Sequence, residues 1–377
     1  MRYFVFILLF LFCVNSCYRS KKSHSVSAIM MNEHEITVSF FDKLTADTVN
    51  LSLSSLVEEC ELVLLEYTEE AIFKPYRTTI TEKYIGIIQS ESLRDSYKLF
   101  GRSGEFLCSV GTIGQGPGEY TFICDDIIDD QNELIYLAPF IDNKILIYNT
   151  SGEFLKSIGM PRTMISPRIF ISNDTLTVAY LSEDKSMITQ INIYNEHILY
   201  EFTTQIPQRD NHILYNSKNM LSIFDIAHAS YDTLYHIDLS NLFLRPVFIM
   251  SDNSSEERVI KLHYQLNEDL VITIVHNKGL IISDLKKKRS SWVKMKNDYF
   301  GNLDIQISFS QVSFFNGYYV LNIQPEQLME DIAQRLTDSN CTIKDRQILQ
   351  KTYLKLKETT NNVVFIGKLK NEVKTKL

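Results

Sequence analysis

Residues 97–111 read YKLFGRSGEFLCSVG and residues 145–159 read ILIYNTSGEFLKSIG, the second copy lying 48 residues after the first. Ser103-Gly104-Glu105-Phe106-Leu107 repeats as Ser151-Gly152-Glu153-Phe154-Leu155, with Ser109 and Gly111 matched by Ser157 and Gly159. Each copy alternates apolar and polar residues, turns at Ser-Gly and alternates again. That is a β-hairpin whose glycine supplies the positive φ of the turn. Upstream of each hairpin stands another short strand, Lys83–Ile87 and Glu133–Leu137, 50 residues apart. The unit is a multi-strand meander of just under 50 residues, the size of one propeller blade.

Weaker copies follow. Thr175–Ala179 with Ile191–Asn195 reads as a third unit, Tyr231–Ile237 belongs to a fourth, Leu270–Ile274 with Gly279–Ile282 to a fifth, and Ile305–Phe309 with Tyr318–Leu321 to a sixth. The fold expected is all-β, a six-bladed β-propeller over residues 35–377; a β-sandwich is the rival, but it would not repeat a hairpin so closely. From Pro325 to about Glu358 the pattern turns helical: Leu328, Ile332 and Leu336 form one stripe, and Ile348, Leu349, Tyr353 and Leu356 a second. This helical insertion, about residues 325–358, precedes a last strand over residues 362–369. An early strand, Ile36–Phe40 or Glu61–Leu65, is expected to pair with it and bring both chain ends into one sheet.

The amino terminus carries an address. Arg2 precedes an apolar run from Tyr3 to Val14, then Asn15, Ser16 and Cys17. Twelve apolar residues fall short of the ~20 that a membrane-crossing helix requires, so residues 1–16 read as a lipoprotein signal peptide. Cys17 is the predicted lipidation site, its thiol taking a diacylglycerol, and residues 17–34 read as a lipid-anchored tether. The expected location is the cell envelope, at the outer membrane. No acidic cluster follows Cys17, only Arg19, Lys21 and Lys22, which favours the periplasmic face.

Composition narrows the partners. The formal charge is −8 and apolar residues make up 45% of the chain, as in a packed globular protein, not a disordered one. The basic run Lys286–Arg289 sits between strand-like segments as a solvated turn, and nucleic acid is not an expected partner. Cys60, Cys108, Cys124 and Cys341 remain after the signal and lipid cysteines, without CxxC spacing, and whether they pair is open. Cys60 and Cys108 fit core positions.

Gly111-Thr112-Ile113-Gly114-Gln115-Gly116-Pro117-Gly118-Glu119-Tyr120 resembles the signature of the six-bladed β-propeller lipoproteins of bacterial envelopes, distant relatives of NHL-repeat propellers. Leu64-Leu65-Glu66, the hairpin ending at Gly104, Tyr231–Tyr235 and the closing Asn361-Asn362-Val363-Val364 are similar to that family, with Asn362 where proline is usual. The resemblance runs from about residue 35 onward. It implies a fold and an address, and it brings no catalytic residue across.

No single motif carries chemistry. The glycine block lacks the following helix and the Lys-Ser/Thr of a phosphate cradle, so it reads as an inter-blade loop in which Glu119 accepts backbone N–H bonds. Asp125, Asp126, Asp129 and Asp130 offer oxygen ligands without calcium-hand spacing, and a solvated blade edge is favoured. The histidines show no metal-binding grouping; His228 and His236 could meet in a channel, but a lone histidine near a tyrosine-rich strand is more often a core or rim residue than a ligand, and Trp292 is the one tryptophan available for stacking on a glycan. Ser182-Glu183-Asp184-Lys185 matches S-x-x-K as a string only. No metal and no cofactor is expected. The function expected is non-catalytic binding or scaffolding of an envelope protein, peptide or glycan, the alternative being a metal-assisted hydrolase or lyase in the channel.

Overall fold

The computed structural model describes residues 26–31, 34–45, 47–90, 95–183, 185–203, 214–218, 224–228, 232–238, 243–251, 259–305 and 311–370. Signal residues 1–16 and Cys17 lie outside these. The stretch expected as a tether contributes a strand, Val26–Met31, paired antiparallel to His34–Phe40.

The chain is all-β apart from short 3-10 turns and two late helices. Its strands form six antiparallel meanders of four. Pro75–Val110 makes one four-stranded sheet. Two further meanders share a seven-stranded sheet over Ile123–Thr203, in which Phe154–Ser172 is the last strand of one and the first of the next. That 19-residue strand changes direction where its register slips between Ile165 and Arg168 and Ser166 takes φ 54°, a bulge that re-aims the chain. The fourth meander runs from Leu214 to Ser251, the fifth from Lys261 to Asn297, and the sixth joins Val312–Phe315, Tyr318–Ile323, Val363–Lys368 and Glu61–Leu64.

The amino-terminal segment is spent on edges. His34–Phe40 adds in parallel to the outer strand Phe243–Ser251 of the fourth meander. Val49–Ser52 adds in parallel to Arg289–Asn297 of the fifth. Glu61–Leu64 pairs antiparallel with Val363–Lys368, so both chain ends meet in the last sheet, as the sequence suggested for Glu61–Leu65. Open edges invite unwanted strand pairing, and one short segment occupies three of them.

The repeated hairpins show why Ser-Gly recurs. Gly104 and Gly152 take φ 102° and 84°. A Cβ on Gly104 would stand 2.3 Å from the carbonyl oxygen of Leu64, and one on Gly152 2.8 Å from that of Ser109. Each hairpin tip thus rests on the outermost strand of a neighbouring meander, and Glu66 N–H donates to Gly104 O at 2.8 Å. The repeat encodes contact between neighbours as well as a turn.

Helices Pro325–Thr337 (α1) and Ile343–Leu356 (α2) fill the connection before the last strand, within the expected bounds. Leu328 and Ile332 of α1, and Leu349 and Leu356 of α2, are buried in the core of the fifth and sixth meanders. Thr342 and Asp345 form a reciprocal capping box at the start of α2. Among the described residues no helix is long and apolar enough to cross a membrane.

Candidate functional site

The first strands of three successive meanders meet at a cluster of four charged side chains, three of them buried and Arg77 half-buried. Arg77, on Pro75–Ile80, donates Nη2 to Asp125 and, at 2.6 Å, to Asp126 on the strand Ile123–Asp129. Asp126 also accepts from the hydroxyls of Thr79 at 2.8 Å and Tyr97 at 2.9 Å. Asp125 Oδ2 accepts from the backbone of Ile169 at 2.7 Å. Beside that strand Arg168 donates to the carbonyl oxygens of Cys124 at 2.7 Å and Pro167 at 3.0 Å. Asp125 and Asp126 are 0% exposed and Arg168 2%.

Two cations and two anions leave the cluster neutral, which is what makes its burial tolerable. Burial disfavours the Arg77 charge, but Asp125 and Asp126 outweigh it and hold its pKa above the ordinary value. Burial, then the charge of Asp126, pushes the Tyr97 phenol well up, so it remains a hydrogen-bond donor. All four oxygens of Asp125 and Asp126 already accept hydrogen bonds. The solvated-edge expectation is therefore wrong for these two residues: Arg77 reaches both from the neighbouring sheet, and the register of their strand is irregular between Ile123 and Asp125. Asp129 and Asp130 hold turns instead. Asp130 accepts from Thr81 Oγ1 at 2.7 Å and from the backbone of Glu82 at 2.9 Å, and Asp129 from the backbone of Gln131 at 3.0 Å.

Aromatic rings stand next to this network. Tyr76 and Phe122 lie 5.6 Å apart and Phe122 and Phe140 6.0 Å apart, all edge to face. The Arg77 guanidinium lies 5.1 Å from the centre of the Phe315 ring. Ile141 and Ile165, opposite each other in register, are 55% and 38% exposed and extend the apolar rim. A small recess opens alongside, lined by Gln89, Asp95, Tyr97, Tyr120 and Phe122 among others.

The glycine block is an inter-sheet loop. Glu119 Oε2 accepts from the backbone of Gly116 at 2.8 Å, as expected. Gly111 and Gly118 supply the positive φ, 67° and 71°. Gly114 has another reason, since a Cβ there would stand 2.0 Å from the Glu119 carboxylate. Tyr148 donates to Gly118 O at 2.6 Å, and Tyr120 to Val110 O at 2.5 Å, fastening the loop from both sides.

The other sequence signals disperse. His236 lies 2.5 Å from Gln265 Oε1, and the side chain of His228 lies outside the described residues. Trp292 packs edge-on against Phe41, 6.4 Å away, under the amino-terminal segment and not at the aromatic rim. Ser182 and Lys185 flank a hairpin turn, and Lys286–Lys288 form an exposed one. Cys60, Cys108, Cys124 and Cys341 are all free. Burial pushes Cys60 up to about 12 and Cys108 up to about 11, so both remain thiols at neutral pH. Among the described residues no three His, Cys, Asp or Glu side chains are grouped to hold a metal ion.

Residues 35–368 match the family described as Domain of unknown function (DUF4934), and the chain belongs to that family. An exported-protein candidate of Bacteroides fragilis has the same fold: TM-score 0.56 at 16% identity, covering 88% of this chain and 98% of that one. The extracellular domain of a hybrid two-component system from B. thetaiotaomicron gives TM-score 0.45 at 15% identity, over 70% of this chain and 32% of that one. A virginiamycin B lyase of Staphylococcus aureus gives 0.43 at 13%, over 62% and 73%. No curated protein matches the chain.

Proposed function

We propose that this is an exported, lipid-anchored binding or scaffold protein whose six meanders are the blades of a six-bladed β-propeller. It engages a partner protein, peptide or glycan at the mouth ringed by Tyr76, Phe122 and Phe140. The observation that carries the reading is the internal pairing of Arg77, Asp125 and Asp126: the carboxylates on the inner strands are spent on structure, and the neighbouring rings are left as the contact surface. Contacts among the first strands of several meanders support the propeller arrangement. Cys17 is the anchor in this reading, and Cys17→Ala releases the protein from membranes with its fold unchanged. A variant that still fractionates with membranes after high-salt washing removes the lipid from the account.

The test is capture from crosslinked membranes with the parent protein and with Phe122→Ala. The expected result is a stable partner whose yield falls at least tenfold in the variant. Absence of any partner, together with substrate turnover by purified protein carrying stoichiometric Zn²⁺ or Ca²⁺, would establish the hydrolase or lyase alternative instead.

A further inference from the structure

Helix α2 presents a basic solvent face that also carries exposed aliphatic side chains. Over Ile343–Leu356 it carries Lys344, Arg346, Lys351 and Lys355 against one acid, Asp345, in a chain whose formal charge is −8; Lys357 and Glu358 follow it. Asp345 is buried in its own capping box. Opposite the buried stripe of Leu349, Thr352 and Leu356, the outermost ridge is Ile343, Gln347, Gln350 and Leu354, which fall within about 60° of one another on a 3.6-residue helix. Ile343 is 78% exposed and Leu354 63%, an arrangement no core packing explains.

The charges flank that ridge. Lys344, Lys351 and Lys355, all exposed, line one side. On the other, Arg346 turns its guanidinium to the carbonyl of Leu336 at 2.7 Å, tying α2 to the end of α1. The exposed acids Glu326 and Glu330 belong to α1.

Exposed aliphatic side chains beside a row of lysines suit the interface of an anionic bilayer. There the apolar tips enter the acyl boundary while ammonium groups reach lipid phosphates. We propose that α2 is a membrane-contact helix that lays the folded body against an anionic phospholipid surface. An acidic protein would satisfy the lysines but leave Ile343 and Leu354 without a counterpart. The proposal rests on the lipid-anchored reading, because an interfacial helix this short binds weakly alone, and a second attachment makes the contact persistent.

The mature protein, extracted with its amino-terminal modification and reconstituted in vesicles with and without anionic phospholipid, tests this. Leu354→Trp places a reporter on the ridge, and the parent, whose single tryptophan is Trp292, supplies the background. Brominated lipids are expected to quench the new emission at least twofold in anionic vesicles and negligibly in zwitterionic ones. Adding Lys344→Glu, Lys351→Glu and Lys355→Glu, with an unchanged circular dichroism spectrum, should abolish the quenching. No quenching in anionic vesicles, or equal quenching after charge reversal, overturns the proposal. The mass of the amino-terminal peptide separates the two readings: an acylated, vesicle-bound protein without quenching sinks the helix alone, whereas quenching without an acyl mass sinks the anchor alone.

Discussion

Where the meander of Pro75–Val110 meets the seven-stranded sheet, the packed groups are half-buried Arg77, buried Asp125, Asp126 and Arg168, and an apolar cluster that includes Leu99, Val110, Ile128 and Tyr148. Where the fifth and sixth meanders meet, they are Leu262, Ile272, Phe314, Tyr319 and Phe365, roofed by Leu328 and Leu349 from the helices. Both junctions join the same four-stranded unit to its neighbour. The difference teaches that the repeat specifies a backbone scaffold and leaves the filling between sheets free. The polar junction gains orientation, since every carboxylate oxygen of Asp125 and Asp126 has a placed donor. It gains little net stability, because desolvating four charges costs nearly what their pairing returns. The apolar junction supplies stability and tolerates repacking.

The comparison breaks most visibly at the charged junction. Arg77→Ala leaves Asp125 and Asp126 buried without their cation, and urea denaturation should show a loss of about 3–5 kcal/mol. Leu349→Ala, in the apolar junction beside Gly301, should lose about 3 kcal/mol by the same assay, from lost burial plus a cavity. If Arg77→Ala proves the milder of the two, the charged cluster is more open to water than its burial indicates. Gly104→Ala sets a Cβ against a backbone carbonyl at φ 102° and is expected to cost about 2 kcal/mol. Gly317→Ala, with positive φ but open space, should cost about 1 kcal/mol. Equal losses would mean that conformation, not contact between meanders, is what the repeated Ser-Gly encodes.

The smallest effect is a pH dependence. Burial lowers the pKa of His236 below its ordinary 6.5. The unfolded chain then binds the proton more readily than the folded one, so stability is held above pH 6.5 and falls as pH drops through that value and below it. A melting curve from pH 8 to pH 5 should show this slope, and His236→Gln should flatten it.

Much of the scaffold was legible in the sequence because its signal is local. Ser-Gly-Glu-Phe-Leu recurs with its flanking alternation, and the spacing of Leu328, Ile332 and Leu336 marks a helix without knowledge of what it packs on. The charged cluster was not, since Asp125 and Asp126 look solvated until their partners are known. One signal was available: Arg77 and Asp125 stand 48 positions apart, the period of the repeat, so equivalent places in successive units carry opposite charges. The parallel strands His34–Phe40 and Val49–Ser52 escaped for another reason. They add to outer edges far along the chain, and nothing near them in sequence names those edges.

That amino-terminal segment dictates an order of events. Its strands are the first to be synthesised, yet their partners are the outer strands of the last three meanders, and Val63 meets Val364, 301 positions away. Closing so long a loop comes late in folding, after the intervening meanders have shortened the distance to be searched. His34–Phe40 waits for Phe243–Ser251, Val49–Ser52 for Arg289–Asn297, and Glu61–Leu64 for the final strand. The architecture therefore carries its own timer: the head of the chain stays available while the body forms, and the last strand to arrive is the one that locks it.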